Sequence, residues 1–474
     1  MMDITKQTSP KSTAALGKQR NYNEIVDYLD AHWSVNQHDK TLDRVKKLDQ
    51  ALGSLAQKTN AILVGGTNGK SLTIHFATKL LKEEGLKVGS FYSPHILTYN
   101  ERFTINHETI SNKLFTEVGN EVINAAESLN VQAYSDELLT MMALLYFAQQ
   151  NVDVAVLEVS KGGLYNAANI CNAKVVTITR VTADDVITDE AKVQEIAREV
   201  MGIVKKGTYI VSGDQSKMIL QLMQEVTEKQ GGHWAMPIRK LAALVYPFEQ
   251  LHGRCAALAE RIAHMYIEKF VTNNVTVVSD SLLAKQKGKR GRPTLKARRD
   301  RDENPKKTID QFWKETVNEL PGRFELLDKE KPSILLDTAS NLDAFKNLLL
   351  GIRLLHYQRP LKGLCIIVGA AKNSMHNEEF LKLVRYFFKK TSGQLFVCPL
   401  TEALPGTQED ESWDVEQVTN DVKSMKIKAK ACKSFEEAFE LAKKSVDERN
   451  GLVVITGSQS IINNYWRVKG IKKF

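Results

Sequence analysis

"VGGTNGKSLT", residues 64 to 73, joins an apolar run to a helix-patterned one. It ends as a phosphate-binding loop ends, in Gly-Lys-Ser. The glycine that such a loop usually carries five residues before Gly69 is Val64 here. Upstream, "NAILV" (60 to 64) reads as a short buried strand. Downstream, "SLTIHFATKLLKEEG" (71 to 85) puts Leu72, His75, Phe76, Lys79 and Leu80 at helical spacing and closes on Gly85. Strand, glycine turn and helix form the unit in which Gly65, Gly66 and Gly69 let backbone N–H groups converge on phosphate oxygens. The helix N-terminus adds its positive end, Lys70 a point charge, and Ser71 a hydroxyl for Mg²⁺.

Downstream, "KVGSF" (87 to 91), "VDVAVLEVS" (152 to 160) and "KVVTITRV" (174 to 181) read as further strands, with "DELLTMMALLYFAQQ" (136 to 150) as a helix between them. Nearly continuous apolar strands alternating with helices predict a parallel sheet covered on both faces. Glu158 then stands at a strand C-terminus, where ligands of open α/β sheets collect; a solvated loop acid is the other reading of that position. The pattern resumes in "SILLDTASN" (333 to 341), "LCIIVGAAK" (364 to 372), "QLFVCPL" (394 to 400) and "LVVITGSQS" (452 to 460). The fold class is therefore α/β: a P-loop nucleotide-binding parallel-sheet domain followed by a smaller Rossmann-like α/β domain. The expected division is a flexible N-terminus over 1–21, an ATP-binding domain over 22–274, a basic linker over 275–320, disordered in part, and a C-terminal domain over 321–474.

Composition narrows the class. A 474-residue chain with 43% hydrophobic and 26% charged residues is globular and long enough for two or three domains. No run reaches the 18 or more apolar residues of a membrane span, and the first residues lack an apolar signal core, so a cytoplasmic protein is expected. The five cysteines are scattered and never spaced C-x-x-C, which indicates neither a zinc site nor a disulfide frame. Nearly all of the net charge of +9 sits in residues 284–307, where 11 Lys and Arg face 3 Asp and Glu. Within it "KRGRP" (289 to 293) resembles an AT-hook, which implies A·T-rich DNA as a partner for Lys289, Arg290 and Arg292. A plain basic tether attracting any polyanion is the alternative.

Several ordered motifs carry a wider resemblance. "GGTNGKSLT", "GSFYSPHILTYNERFTIN", "VAVLEVSKGGLYNAAN", "PGRFELL", "LLDTASN", "IIVGAAK" and "VVITGS" follow one another as in the folylpolyglutamate synthase and dihydrofolate synthase family of Mur-type ligases. The resemblance runs from about Tyr22 to about Arg467, broken by the basic segment, and the family's compact G-T-N-G-K loop accounts for Val64. It implies an ATP- and Mg²⁺-dependent amide ligase, working as a monomer, that joins glutamate to a folate-type acceptor through an acyl phosphate. Gly66, Thr67, Asn68, Gly69, Lys70 and Ser71 would hold the nucleotide, and Ser93 and Glu158 the Mg²⁺. Arg323 would reach the phosphates across the domain junction. Asp337 and Asn341 would touch the nucleotide from the second domain.

The chain also departs from that pattern. Asp185 stands where the family has a metal-binding histidine, and Val200 where it has a lysine that becomes carbamylated. Valine can be neither carbamylated nor a ligand, so Asp185 is expected to replace part of the lost anion at a second metal position. Ser340 replaces a histidine near the nucleotide, Ser160, Lys161 and Leu164 alter a Gly-Leu-Gly-Gly-Arg stretch, and Asp136 stands for a pterin-facing aromatic. Residues 251 to 263 offer neither of two expected adenine contacts, Gln and Asn. Beside the glutamate ligase, these losses leave two alternatives: a catalytically degenerate nucleotide-binding homologue with a nucleic-acid-binding linker, or a Mur-type ligase for another substrate pair.

Overall fold

The structure is a computed structural model that describes residues 17–33, 40–183, 189–238, 240–271, 282–283, 308–316, 320–372, 374–400 and 411–474. In the first unit the strands β1 (Ala61–Gly65), β2 (Val88–Phe91), β3 (Phe103–Ile105), β4 (Glu108–Thr109), β5 (Val154–Glu158), β6 (Val175–Ile178), β7 (Tyr209–Ser212) and β8 (His233–Trp234) form one sheet. Their order is β4-β3-β2-β5-β1-β6-β7-β8. The six strands from β2 to β8 are parallel, as continuous apolar runs predict, and an antiparallel edge of β3 and β4 is added. Strands of three and two residues are too short to leave a periodic trace, so sequence reading passed over them.

β5 lies between β1 and β2 although it follows both in the chain, and Val64 stands level with Glu158. The loops after β1 and β2 therefore flank the end of β5 from either side. The helix Lys70–Glu83 buries most of its length between the sheet and the helix Phe248–Tyr266. Helices Asn112–Ser128, Ser135–Gln149, Glu190–Val200 and Lys217–Gln230 contribute to the other apolar layer.

The second unit carries β9 (Glu325–Leu327), β10 (Ser333–Asp337), β11 (Leu364–Val368), β12 (Gln394–Val397), β13 (Ala429–Ala431) and β14 (Leu452–Thr456) in the order β13-β12-β11-β14-β10-β9. Only β9 runs antiparallel to its neighbour. Six of the eight expected strands stop two to four residues earlier than the apolar runs suggest, because their terminal glycines and polar residues turn out of the sheet; β1 runs one residue further than expected and β2 ends as expected.

The segment expected as a linker holds a described helix, Ile309–Glu315, capped by Thr308 with Gln311. Trp313, fully buried, packs edge-on against Phe76 at 5.6 Å, and its indole N–H donates to Glu260 at 3.0 Å. The charge of 284–307 hides this apolar pair, Phe312 and Trp313, when the segment is read by composition. Lys289, Arg290 and Arg292 lie outside the described residues.

Candidate functional site

The turn after β1 is built for close approach. Gly66 has φ +119°, and a Cβ there would lie 2.4 Å from Thr179 Oγ1 and 3.1 Å from the Arg180 carbonyl oxygen. Gly69, at φ +88°, leads into the helix and faces Cys255 Sγ, 2.9 Å from where its Cβ would be. Only glycine takes these conformations without strain. Thr67 is tied to the loop after β6: its N–H donates to the Arg180 carbonyl at 2.6 Å and its hydroxyl to the Thr182 carbonyl at 2.9 Å.

Glu158 is the centre of the arrangement. It is 3% exposed, accepts from the Ser71 hydroxyl at 3.0 Å and the Ser93 N–H at 3.3 Å, and stands 4.0 Å from Lys70 Nζ. Burial pushes its carboxyl above the usual carboxylate range, against the pull of Lys70, Arg323 and its hydrogen bonds. The solvated-acid reading of Glu158 is thus set aside: the strand order buries it between two loops. Lys70 Nζ also donates to the Gly66 and Thr67 carbonyls, at 2.9 and 3.2 Å.

Behind Ser93 lies a buried cation that sequence reasoning did not assign. Arg102, in "NERF", is 1% exposed, donates to Ser93 Oγ at 3.3 Å and to His95 Nδ1 at 3.0 Å, and sits over the rings of Trp33 and Tyr99 at 5.3 and 5.5 Å. Burial lowers its pKa to about 10. The motif was visible in the sequence, but not that its arginine folds inward against an N-terminal helix end.

The second unit supplies the opposite wall. Gly322, at φ +65°, and Phe324, at φ 51°, turn the "PGRF" stretch sharply. Arg323 hydrogen-bonds Thr338 Oγ1, and Asp337 Oδ2 accepts from the Phe324 N–H at 2.9 Å. Burial lowers the Arg323 pKa, with Glu158 and Asp337 opposing; it raises that of Asp337 to about 6, with Arg323 opposing. Asn341 and Asn68 exchange amide hydrogen bonds of 2.9 and 3.0 Å across the junction. Beside them a cleft of about 350 Å³ opens between Thr182, Ala183, Leu342, Asp343, Lys346 and Lys382, among others.

Lys70, Ser71, Ser93 and Glu158 thus meet at one point, with Arg323 near enough to act on Glu158, and Asn68 meets Asn341. Asp337 serves the Arg323 turn rather than the first unit. Asp185 lies outside the described residues. Val200 is buried, its Cγ1 lying 3.0 Å from where a Cβ on Gly65 would be, so an aliphatic side chain backs the end of β1 there. Leu164, half-exposed, takes the Glu199 carbonyl with its N–H at 3.1 Å and packs on Gly202. Among the described residues no three His, Cys, Asp or Glu converge as a metal cluster.

Comparison with known proteins places these features. Residues 322–459 match the family model "Mur ligase, glutamate ligase domain". The dihydrofolate synthase/folylpolyglutamate synthase of Bacillus subtilis is 29% identical over 318 residues, 65% of this chain and 70% of that protein. Folylpolyglutamate synthase of Mycobacterium tuberculosis, solved with ADP, superposes with a TM-score of 0.72 at 19% identity, over 95% of this chain and 98% of the other. The bifunctional enzyme of Yersinia pestis, solved with AMPPNP and Mn ion, gives 0.69 at 20% identity, over 98% and 100%. At such identity the structural likeness speaks for the fold. Among the described residues no helix is long and apolar enough to cross a membrane.

Proposed function

We propose that the chain belongs to the folylpolyglutamate synthase and dihydrofolate synthase family of Mur-type ligases and is an ATP-dependent ligase joining glutamate to a folate-type acceptor. The observation that carries the reading is the meeting of Lys70, Ser71 and Ser93 around the buried Glu158, with Arg323 facing it from the second unit.

The residues present fit a nucleotide and a divalent cation. Gly66 and Gly69, at φ +119° and +88°, give the turn a path that no side chain fits, as a phosphate loop requires, and Glu158 is a carboxylate whose burial calls for a cationic partner beyond Lys70 and Arg323. Gly66, Thr67, Asn68, Gly69, Lys70 and Ser71 are assigned to the phosphates: the later N–H groups of the turn, the ammonium and the hydroxyl would reach them, while Thr67 and Asn68, whose N–H groups donate to the Arg180 carbonyl, hold the turn in shape. Glu158, Ser71 and Ser93 would hold Mg²⁺, hard oxygens for a hard cation, with much of its shell left to phosphate and water. When bound, the metal neutralises phosphate charge. Asp185 is assigned a share of the second metal position that Val200 cannot serve.

In the reaction the acceptor carboxylate takes the γ-phosphoryl group, and the glutamate amine then attacks the acyl phosphate, releasing phosphate and forming the amide. Lys70 and the loop N–H groups hold the transferring phosphoryl group, and Arg323 adds a second positive charge from the far side. Arg102, through Ser93 Oγ, fixes the loop after β2. Asp337 and Asn341 line the nucleotide from the second unit, and the cleft by Lys346 and Lys382 has room for a small dicarboxylate.

The test is mass spectrometry of purified protein with Mg-ATP, glutamate and either tetrahydrofolate or dihydropteroate, beside a Lys70→Ala control. A product one glutamyl unit heavier, absent in the control, is the expected result; no product with either acceptor overturns the reading. The finer assignments are a division into units at 22–274 and 321–474, a monomeric working form and a cytoplasmic site of action. The basic segment is assigned to polyanions, with A·T-rich DNA favoured by "KRGRP"; equal affinity for a G·C-rich duplex removes that preference.

A further inference from the structure

Beyond the ligands of the nucleotide, the phosphate loop is tied to the second unit by a clasp of four side chains, two from each unit. Asn68 Nδ2 donates to Asn341 Oδ1 and to Asp343 Oδ2, both at 3.0 Å, and Asn68 Oδ1 accepts from Asn341 Nδ2 at 2.9 Å. Both amide hydrogens and the carbonyl of a loop residue are thereby committed to the other unit. The second oxygen of Asp343 pairs with Arg180 Nη2 at 2.8 Å. The Arg180 carbonyl in turn accepts the N–H of Thr67 at 2.6 Å and that of Asn68 at 3.4 Å. The tip of the loop is therefore held twice, its backbone by the main chain of Arg180 and its side chain by residues that the side chain of Arg180 secures.

The second unit presents a firm edge to this grip. Asn341 caps the helix Leu342–Gln358, accepting from the Ala344 N–H at 3.0 Å, and Asp343 lies in its first turn, where the helix end favours a carboxylate. Arg180 is 46% exposed and Asp343 17%, so the pair lies at the rim of the junction and its strength depends on salt.

We propose that Arg180 and Asp343 are positioning residues of the nucleotide site: their ion pair docks the second unit onto Asn68 and so sets the loop geometry on which nucleotide affinity depends. By linkage, nucleotide binding and docking of the second unit strengthen each other by the same factor. The proposal rests on the loop being a nucleotide site, and not on which acceptor or amine is joined.

The experiment is a titration of ADP into the full chain and into Arg180→Ala, Asp343→Ala, Asp343→Asn and the charge-swapped pair R180D/D343R, at low and high salt. ADP affinity is expected to fall about tenfold in each alanine variant, a coupling of ordinary size. It should fall less in Asp343→Asn, which keeps an acceptor for Asn68, and recover only in part in the swapped pair, which restores the ion pair but not that acceptor. High salt should weaken ADP binding to the wild type more than to the alanine variants. KM for ATP should rise in Arg180→Ala while KM for glutamate stays put, a split that general loosening would not give; Asp343 also lines the cleft assigned to the dicarboxylate, so the split is read at Arg180. Single variants that bind ADP as the wild type does, or a swapped pair no better than the singles, overturn the proposal. The near-isosteric Asp343→Asn keeps the test decisive if an alanine variant fails to fold. A wild type without ligase activity whose ADP affinity still follows the pair removes the catalytic reading and leaves this one. An active wild type indifferent to the pair does the reverse.

Discussion

Replacing Glu158 by Gln separates two opposing effects at the centre of the site. At 4.0 Å the attraction between Lys70 and the ionised carboxylate is about 4 kcal/mol for an effective dielectric of about 20. Removing a carboxylate from water at a 3% exposed position costs several kcal/mol in the other direction. The raised pKa of Glu158 shows desolvation outweighing its partners in the free protein. Glu158→Gln keeps an oxygen for the Ser71 hydroxyl and the Ser93 N–H and drops the charge. Its Tm should therefore match the wild type or exceed it by about 2–4 °C, a gain of order 1 kcal/mol. Glu158→Ala instead strands the buried Ser71 hydroxyl, at roughly 1–3 kcal/mol, and the half-buried Ser93 N–H, and its Tm should fall by roughly 5 °C or more. Turnover should drop about 10²–10³-fold or more in both variants, because the group that holds the cation is gone. Calorimetry with and without Mg-ADP, beside the mass-spectrometric ligase assay, reads all three quantities. A Glu158→Gln protein as unstable as Glu158→Ala would refute the reasoning, since the charge would then stabilise the free fold rather than await a cation; unchanged turnover would refute the metal assignment.

Asp337 predicts a pH dependence with two opposite slopes. Its carboxyl titrates at about 6 in the folded chain against 3.8 unfolded, so the stability tied to its neutral form is whole below about pH 4 and is lost as pH rises through 6. Its value as an acceptor for the nucleotide runs the other way, so ADP affinity should climb through pH 6 and level off above about 7. Asp337→Asn should flatten both profiles, and an unaltered affinity profile would take Asp337 out of the nucleotide site. Asp185→Ala is expected to lower turnover and raise the Mg²⁺ concentration needed for half-maximal rate. Full activity with unchanged metal dependence would end its role as stand-in for the missing carbamate.

The phosphate loop was legible because its demands are local: glycines at positive φ, then a lysine and a serine opening a helix. The position of Glu158 at a strand end was legible for the same reason. Its burial was not, because it follows from β5 slipping between β1 and β2, a property of topology that no spacing in the chain records. Val200 announced itself as a lost ligand, yet its packing on Gly65 needed the fold. Arg180 and Asp343 gave no sign at all, being ordinary charged residues 163 positions apart whose pairing exists only once the two units meet. Trp313 was overlooked for the opposite reason, since a loud run of basic residues masked a quiet apolar pair.

That pair has a consequence for the basic segment. Just before residue 284 the N–H groups of Leu282 and Leu283 donate to Glu84 Oε1 at 2.8 and 3.1 Å, with Leu283 buried. Just after residue 307 Trp313 is sunk into the same helical layer. Both ends of the +8 stretch are pinned to one face of the first unit, as a handle is riveted to a vessel. Its length and charge can then change without moving the two anchored ends, since a longer closed segment adds only a logarithmic entropy cost. Whatever polyanion it meets, it meets as a graft whose presence the ligase machinery need not feel.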